Sequence, residues 1–387
     1  MGKVLIGTDR LYTPKVRELL QGKRIGLVTG ASGISSDYRQ TVEAVAEGYT
    51  VFCIYAPEHG PRGVLGPGEK VHGGFDIQSG LPVRSLFEDM LFDHSCSPYT
   101  PQGLEDVDIL VYDMQDVGSR YFTYVSTLFY CMKRAGEANI PLVVLDRPNP
   151  LGGEVEGPLN REEYSSFIGL TRVPIRHGMT VGELAKMYNG EYNLGCRLYV
   201  IECEGLKRDM YFEDTGLPFV KPSPNLPTLD SIAVYNGTCL FAGTNMSEGR
   251  GTTTPFTTIG APYIDAVKLC KALEGKNIEG CRFSPAYFIP AFGKHCNSVC
   301  RGVNIHVTDK RRLKPVALGV KLLYTVRDMY KEFEFTLPKS GNRYHIDLSY
   351  GSPLLREGKM SEDEIILSWQ RDREEFMPLY RKYMIYE

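Results

Sequence analysis

Three short strings in this chain place acid–base side chains where an α/β sheet would deliver them. An apolar run at Thr50–Ala56 leads into Pro57, Glu58, His59 and Gly60. A run at residues 108–112 leads into Asp113, Met114, Gln115, Asp116, Val117 and Gly118, with Arg120, Tyr121 and Tyr124 close behind. A third, Pro141–Leu145, leads into Asp146, Arg147, Pro148, Asn149 and Pro150. In open α/β sheets ligands bind beyond the carboxyl ends of the strands. One such string is what an ordinary capping turn looks like; three in succession mark a site. Glu58 follows an apolar strand and a proline, a position low in a cleft, where partial desolvation favours the protonated form that a general acid needs. Asp113 and Asp116 supply carboxylates for a second role. Arg62, Arg120, Tyr121, Tyr124 and Arg147 suit a sugar ring that carries a carboxylate, and His59, Gln115 and Asn149 add polar groups to the same lining.

Later strings extend this set. Arg176, His177, Gly178, Met179 and Thr180 open a helix and can present His177 to the cleft. Residues 222–228 form a proline-stiffened polar loop around Asn225. Residues 243–253 hold Asn245, Glu248 and Arg250 among glycines and threonines, and a buried Arg250 is a natural carboxylate clamp. Other chemistries are weakly signalled. Gly26, Gly30 and Gly33 follow neither GxGxxG nor GxxxxGK[ST]. Glu58, His59, Asp113, Asp116 and His177 could gather around a hard cation, but no paired-histidine motif supports this. Cys296 and Cys300 are spaced CxxxC without a second pair, so loop thiols are expected.

The elements that must position these groups alternate in type. Apolar runs at Arg24–Thr29, Thr50–Ala56, residues 108–112 and Pro141–Leu145 alternate with helical spacing at residues 38–47 and 121–138, which predicts a parallel sheet covered on both faces. Thr180 and Glu183 form a capping box for a helix at 180–189, and residues 197–202 are a further strand. From Tyr235 the chain turns rich in Gly, Thr and Pro; residues 315–331 are its clearest helix, with short helices at 363–370 and 376–383. The expected organisation is α/β, with a parallel-sheet domain over residues 1–234 and a second domain of different character over 235–387. The loop 60–101 has the Gly and Pro content of an active-site flap. At 387 residues, with 42% hydrophobic and 24% charged residues and a net charge of −3, nothing points to nucleic acid or an anionic membrane as partner. No apolar run is long enough to span a bilayer. The N-terminus has no secretory pattern and several cysteines sit in apolar segments, so a reducing, cytoplasmic location is expected unless a leader has been removed.

Taken together, PEHG, the QDVG string with Arg120, Tyr121 and Tyr124, VVLDRPNPLGG, VEGP, PIRHGMT, PSPNLPTL and GTNMSEGRGTT resemble, in the same order from about Gly22 to the C-terminus, one family. It is the exo-β-N-acetylmuramidases, once annotated only as a domain of unknown function. The resemblance implies a glycosidase that releases N-acetylmuramic acid from the non-reducing end of peptidoglycan fragments, a Rossmann-like catalytic domain over 1–234 with a smaller α+β domain over 235–387 closing the substrate cleft between them, and no nucleotide cofactor. It maps the family's glutamate onto Glu58 as general acid and its tyrosines onto Tyr121 and Tyr124. A disaccharide of N-acetylmuramic acid and N-acetylglucosamine is the expected substrate. The chain departs from the family at Gly30, where the family string carries asparagine. Asp116 or Asp113 as base on a water, Tyr124 as nucleophile, and the substrate's own acetamido group, which would need a carboxylate to orient it, remain open for the second catalytic role. Arg250, Arg120 and Arg62, in that order, are candidates to meet the lactyl carboxylate. A metal-dependent hydrolase built on Glu58, Asp116 and His177, and a non-catalytic module that binds cell-wall fragments, are the rival readings.

Overall fold

The computed structural model describes residues 3–87, 101–337 and 342–387. The apolar runs form β1 (Arg24–Thr29), β2 (Thr50–Ala56), β5 (Ile109–Asp113), β6 (Pro141–Leu145) and β9 (Arg197–Ile201), with short strands β3 (Gly74–Phe75), β4 (Pro82–Ser85), β7 (Glu156–Leu159) and β8 (Pro174–Arg176) between them. Seven strands make one sheet in the order β3-β4-β2-β1-β5-β6-β9. All its pairs are parallel except β3–β4 at the edge; β7 and β8 pair separately. Every residue of β5 and all of β1 but Arg24 are buried, as strands covered on both faces must be. The helices of this half are α1 (Pro14–Leu20), α2 (Thr41–Ala46), α3 (Thr123–Glu137) and α4 (Val181–Glu191). At α4 the capping box forms as expected: Glu183 N–H donates to Thr180 Oγ1, and Thr180 N–H donates to Glu183.

The strand order reverses between β1 and β5, the place where open α/β folds usually form their ligand crevice. Here side chains fill it. Asp113, at the end of β5, takes a forked pair from Arg147, with Nη2 2.8 Å from Oδ2. It also accepts from Thr8 at 2.9 Å and from the Thr41 hydroxyl. Both members of the pair are buried.

The second half holds α5 (Leu229–Thr238), β10 (Thr258–Ala261), α6 (Ala266–Glu274), β11 (Cys281–Phe288), β12 (Cys300–Val307), α7 (Pro315–Met329), α8 (His345–Tyr350), α9 (Leu354–Glu357) and α10 (Glu362–Tyr383). Its strands form an antiparallel sheet in the order β10-β12-β11. The helices α5 and α7 approach so closely that a Cβ on Gly319 would stand 2.4 Å from the Gly237 carbonyl oxygen. The sheet supplies the β part of the expected α+β half, although its individual strands carry no clean sequence pattern: Pro285 inside β11 argues against a strand, but β11 lies at the sheet edge, where proline is tolerated. The two terminal helices expected at 363–370 and 376–383 are one, α10. Its polar stretch of Arg and Glu interrupts the apolar stripe without losing helix propensity, and Pro378 is accommodated inside it. Of the expected flap, residues 74–85 carry β3 and β4, while residues 88–100 lie outside the described residues. Cys296 and Cys300 are free thiols. No described helix is long and apolar enough to cross a membrane.

Removing one member of a buried, hydrogen-bonded ion pair leaves the other charge stranded, at a cost of about 3–5 kcal/mol. Asp113→Ala is therefore expected to lower the unfolding free energy in urea by about that amount. A variant with an unchanged unfolding midpoint would show that the pair does not hold these strand ends together.

Candidate active site

A cavity of about 270 Å³ opens beyond the end of β2, with walls from both halves of the chain. From the first half come Glu58, His59, Tyr121, Phe122 and Thr123; from the second, Tyr235, Arg250, Phe256, His345 and Ser349; and the 222–228 loop adds Ser223, Asn225 and Leu226. A larger, more open groove of about 550 Å³ lies against α6 and β11. It contains none of the strand-end strings, and its Arg312 is paired with Glu279, so the smaller cavity is where the chemistry gathers.

Glu58 sits at the floor because β2 ends at Ala56 and Pro57 directs the chain down. The turn that follows is tight: His59 has φ +75° and Gly60 φ +75°, a left-handed conformation that costs a non-glycine residue energy. His59 is held there by Nδ1 against the Leu65 carbonyl at 3.0 Å. The Glu58 side chain is itself fixed at both oxygens. Gly68 N–H donates to Oε1 at 2.9 Å, and Thr123 Oγ1 lies 2.7 Å from Oε2. A hydroxyl donates to a carboxylate or accepts from a carboxylic acid, so Thr123, first residue of α3, can hold the Glu58 side chain in either protonation state.

The opposite wall is cationic. Arg250 lies over the Phe256 ring, 5.1 Å from its centroid, and donates through Nη1 to Glu248 at 2.8 Å. Lys294 reaches the other Glu248 oxygen at 3.1 Å, together with the carbonyls of Phe241 at 2.7 Å and Met246 at 3.0 Å. Burial pushes the Glu248 carboxyl up, but the Lys294 ammonium and the Arg250 guanidinium more than reverse this and hold it at about 2. Burial, then the charges of Lys294 and Arg250, push His345 down to about 4.

Family models for the N-terminal and C-terminal parts of the exo-β-N-acetylmuramidase NamZ match residues 25–230 and 233–386. The chain is 41% identical to the peptidoglycan β-N-acetylmuramidase NamZ of Bacillus subtilis, over 99% of this chain and 92% of that protein. The chain belongs to the exo-β-N-acetylmuramidase NamZ family. Crystal structures of two DUF1343-family proteins of Bacteroides fragilis are also similar in fold. One superposes with a TM-score of 0.86 at 32% identity and the other with 0.73 at 29%, each over 100% of this chain and 99% of that chain.

Within this member of the NamZ family, the structure brings Glu58, His59, Tyr121, Asn225 and Arg250 to the cavity and sends the other predicted residues elsewhere. Asp113 and Arg147 neutralise each other at the filled crevice. Asp116 accepts from Gly118 N–H at 2.7 Å and faces His177 Nε2 at 3.2 Å. His177 Nδ1 accepts from Met179 N–H at 3.2 Å, while its Nε2 and Asp116 Oδ1 form no hydrogen bond among the described residues. Gln115 donates to the Asp116 and Pro148 carbonyls, and Asn149 to that of Met179. Arg120 is sunk in the core, where it donates to the carbonyls of Pro158, Val173 and Ser349. Arg62 is spent on Asp76 and Glu43 near the surface. Asn245 donates to the Glu332 carbonyl, and Glu248 supports Arg250 without lining the cavity. Sequence reasoning missed Thr123, Tyr235, Phe256, Lys294 and His345. Thr123 stood one residue from the marked Tyr124; Lys294 and His345 lie in stretches with no recognisable string.

Tyr124 is not among the residues that line the cavity. Its hydroxyl lies behind Glu58 and donates to the Pro222 carbonyl at 2.9 Å. Burial, then the charge of Glu58, hold its phenol well above the ordinary tyrosine range, which disfavours the phenolate a nucleophile requires. Tyr124→Phe is expected to keep kcat within about tenfold of the parent, the scale of one lost hydrogen bond. A fall to background in steady-state hydrolysis would restore the tyrosine as nucleophile.

Proposed function

We propose that the chain, as an exo-β-N-acetylmuramidase, removes N-acetylmuramic acid from the non-reducing end of short peptidoglycan fragments, with Glu58 as the proton donor. The observation that carries the reading is Glu58 itself, buried at the cavity floor and fixed at both oxygens beside a hydroxyl that serves either protonation state. The preferred substrate is the disaccharide of N-acetylmuramic acid and N-acetylglucosamine. Residues 235–387 act in this reading as a domain that closes the cleft over the domain at 1–234. A cytoplasmic enzyme of this kind would meet imported fragments. The rival metal-dependent reading loses its donor set, since Asp116 and His177 face each other away from Glu58. Among the described residues no group of three or more His, Cys, Asp or Glu side chains is gathered as for a metal ion.

In our reading the second catalytic role falls to the substrate's 2-acetamido group, oriented by a polar side chain other than a cavity carboxylate. Glycosidases with two working carboxyls hold them roughly 5–5.5 Å or 6.5–9.5 Å apart across the bond. Among the described residues that line the cavity, Glu58 is the single carboxylate. In our reading the carbonyl oxygen of the 2-acetamido group attacks the anomeric carbon while Glu58 protonates the departing oxygen. A water then opens the bicyclic intermediate and gives its proton back to Glu58, with retention of configuration. Asn225, whose side-chain nitrogen is buried without a partner, is placed to donate to the substrate.

A chromogenic β-N-acetylmuramide should be hydrolysed and the matching N-acetylglucosaminide should not, with Glu58→Gln reducing the muramide rate by about 10²–10⁴-fold while the fold survives. Near-parental turnover in that variant removes Glu58 from the mechanism. Fluorination of the acetamido methyl should slow hydrolysis stepwise with each fluorine; a rate indifferent to fluorine rules out participation by the acetamido group.

A further inference from the structure

We propose that the Glu248–Arg250–Lys294 cluster is a carboxylate-binding subsite that takes the lactyl carboxylate of the sugar on the side-on edge of Arg250, with Lys294 as the positioning residue that leaves that edge charged and free. The proposal rests on the hydrolase reading above and names the part of the cavity that gives it selectivity.

The argument is one of donors and charge. A guanidinium has five N–H donors in a fixed fork. Arg250 uses Nη1 on Glu248. Its Nε is buried with no partner, and among the described residues no bond to Nη2 is formed. Nε and Nη2 are the two nitrogens whose hydrogens point the same way, the edge that binds a carboxylate through two parallel bonds. Arg250 lines the cavity, and Phe256 beneath the guanidinium plane fixes its orientation.

A simple Arg250–Glu248 pair would be electrically neutral and would offer an anion little. Lys294 changes this. Its Nζ meets three acceptors: the Phe241 carbonyl, the Met246 carbonyl and Glu248 Oε2. Only an ammonium has three donors to satisfy them. One carboxylate therefore faces two cations, and the wall carries a single surplus positive charge. An N-acetylmuramic acid residue differs from N-acetylglucosamine by a lactyl ether ending in one carboxylate, so the surplus charge and the unpartnered fork match that difference. A neutral sugar would leave a buried cation edge unpaired, which costs affinity.

The test uses the product sugar, so that binding is read apart from catalysis. N-acetylmuramic acid and its lactyl carboxamide, a neutral near-isostere, are titrated into the intact protein by calorimetry. The acid is expected to bind about 10- to 100-fold more tightly, the range of a hydrogen-bonded charge pair. Arg250→Gln and Lys294→Met are both expected to bring the two ligands to near-equal affinity. Arg250→Lys keeps the charge but loses the fork, so it should retain part of the preference; it also serves as the reading if Arg250→Gln fails to fold. Equal binding of acid and carboxamide to the parent protein, or a preference unchanged in folded Arg250 variants, overturns the subsite. Hydrolysis of the muramide is scored separately. A preference for the acid with no hydrolysis sinks the hydrolase reading and leaves the subsite standing; hydrolysis with no preference does the reverse.

Discussion

The ion pair between Asp113 and Arg147 is the constraint around which this molecule is arranged. It sits where the order of the parallel sheet reverses, the position at which related architectures open their ligand crevice. Arg147 comes from the segment after β6, while Thr8 and Thr41 add hydroxyls from the N-terminal segment and α2. The strand ends are locked together by charge and hydrogen bonds, and the crevice is full. The reactive cavity is displaced toward the end of β2, where Glu58 projects and where the C-terminal half can supply the facing wall.

That displacement divides the labour between the halves of the chain. The parallel sheet and α3 supply Glu58, the proposed acid, and the Thr123 hydroxyl bonded to it. The segment after α5, together with Lys294, supplies the cationic wall. Neither half holds a complete site. The left-handed turn at His59 and Gly60 and the bond from Gly68 N–H to Glu58 keep the acid in place without occupying the cavity. The buried side chains of Asp116 and His177 approach within 3.2 Å between the loop after β5 and the loop before α4.

Most of the first half was legible in the sequence because its strands are buried on both faces and read as unbroken apolar runs, such as RIGLVT and TVFCIYA. The antiparallel sheet was not, because a half-exposed strand carrying Pro285 at a sheet edge has no clean period. The site shows the same contrast. Glu58 was readable because it follows a strand and a proline. Asp113, Asp116 and Arg147 stood in equally suggestive strings, yet each is paired inside the protein. Residue type and strand-end position specify that a polar group is buried, and only packing decides whether it meets a partner or the cavity. Lys294 shows the converse: it is brought to Glu248 by the fold from a loop of no particular pattern.

The claim that Glu58 supplies the proton is tested most directly by a leaving-group series on Glu58→Gln. A departing group that is stable as an anion needs no proton, whereas a sugar hydroxyl does. The account predicts that kcat/KM of the variant falls little with a dinitrophenyl muramide and progressively more as the leaving group becomes more basic, with the greatest loss for the natural disaccharide, while kcat is low throughout because opening the intermediate still needs Glu58 as base. A loss of equal size across the whole series would contradict it, and would make Glu58 a structural or binding residue instead of the acid.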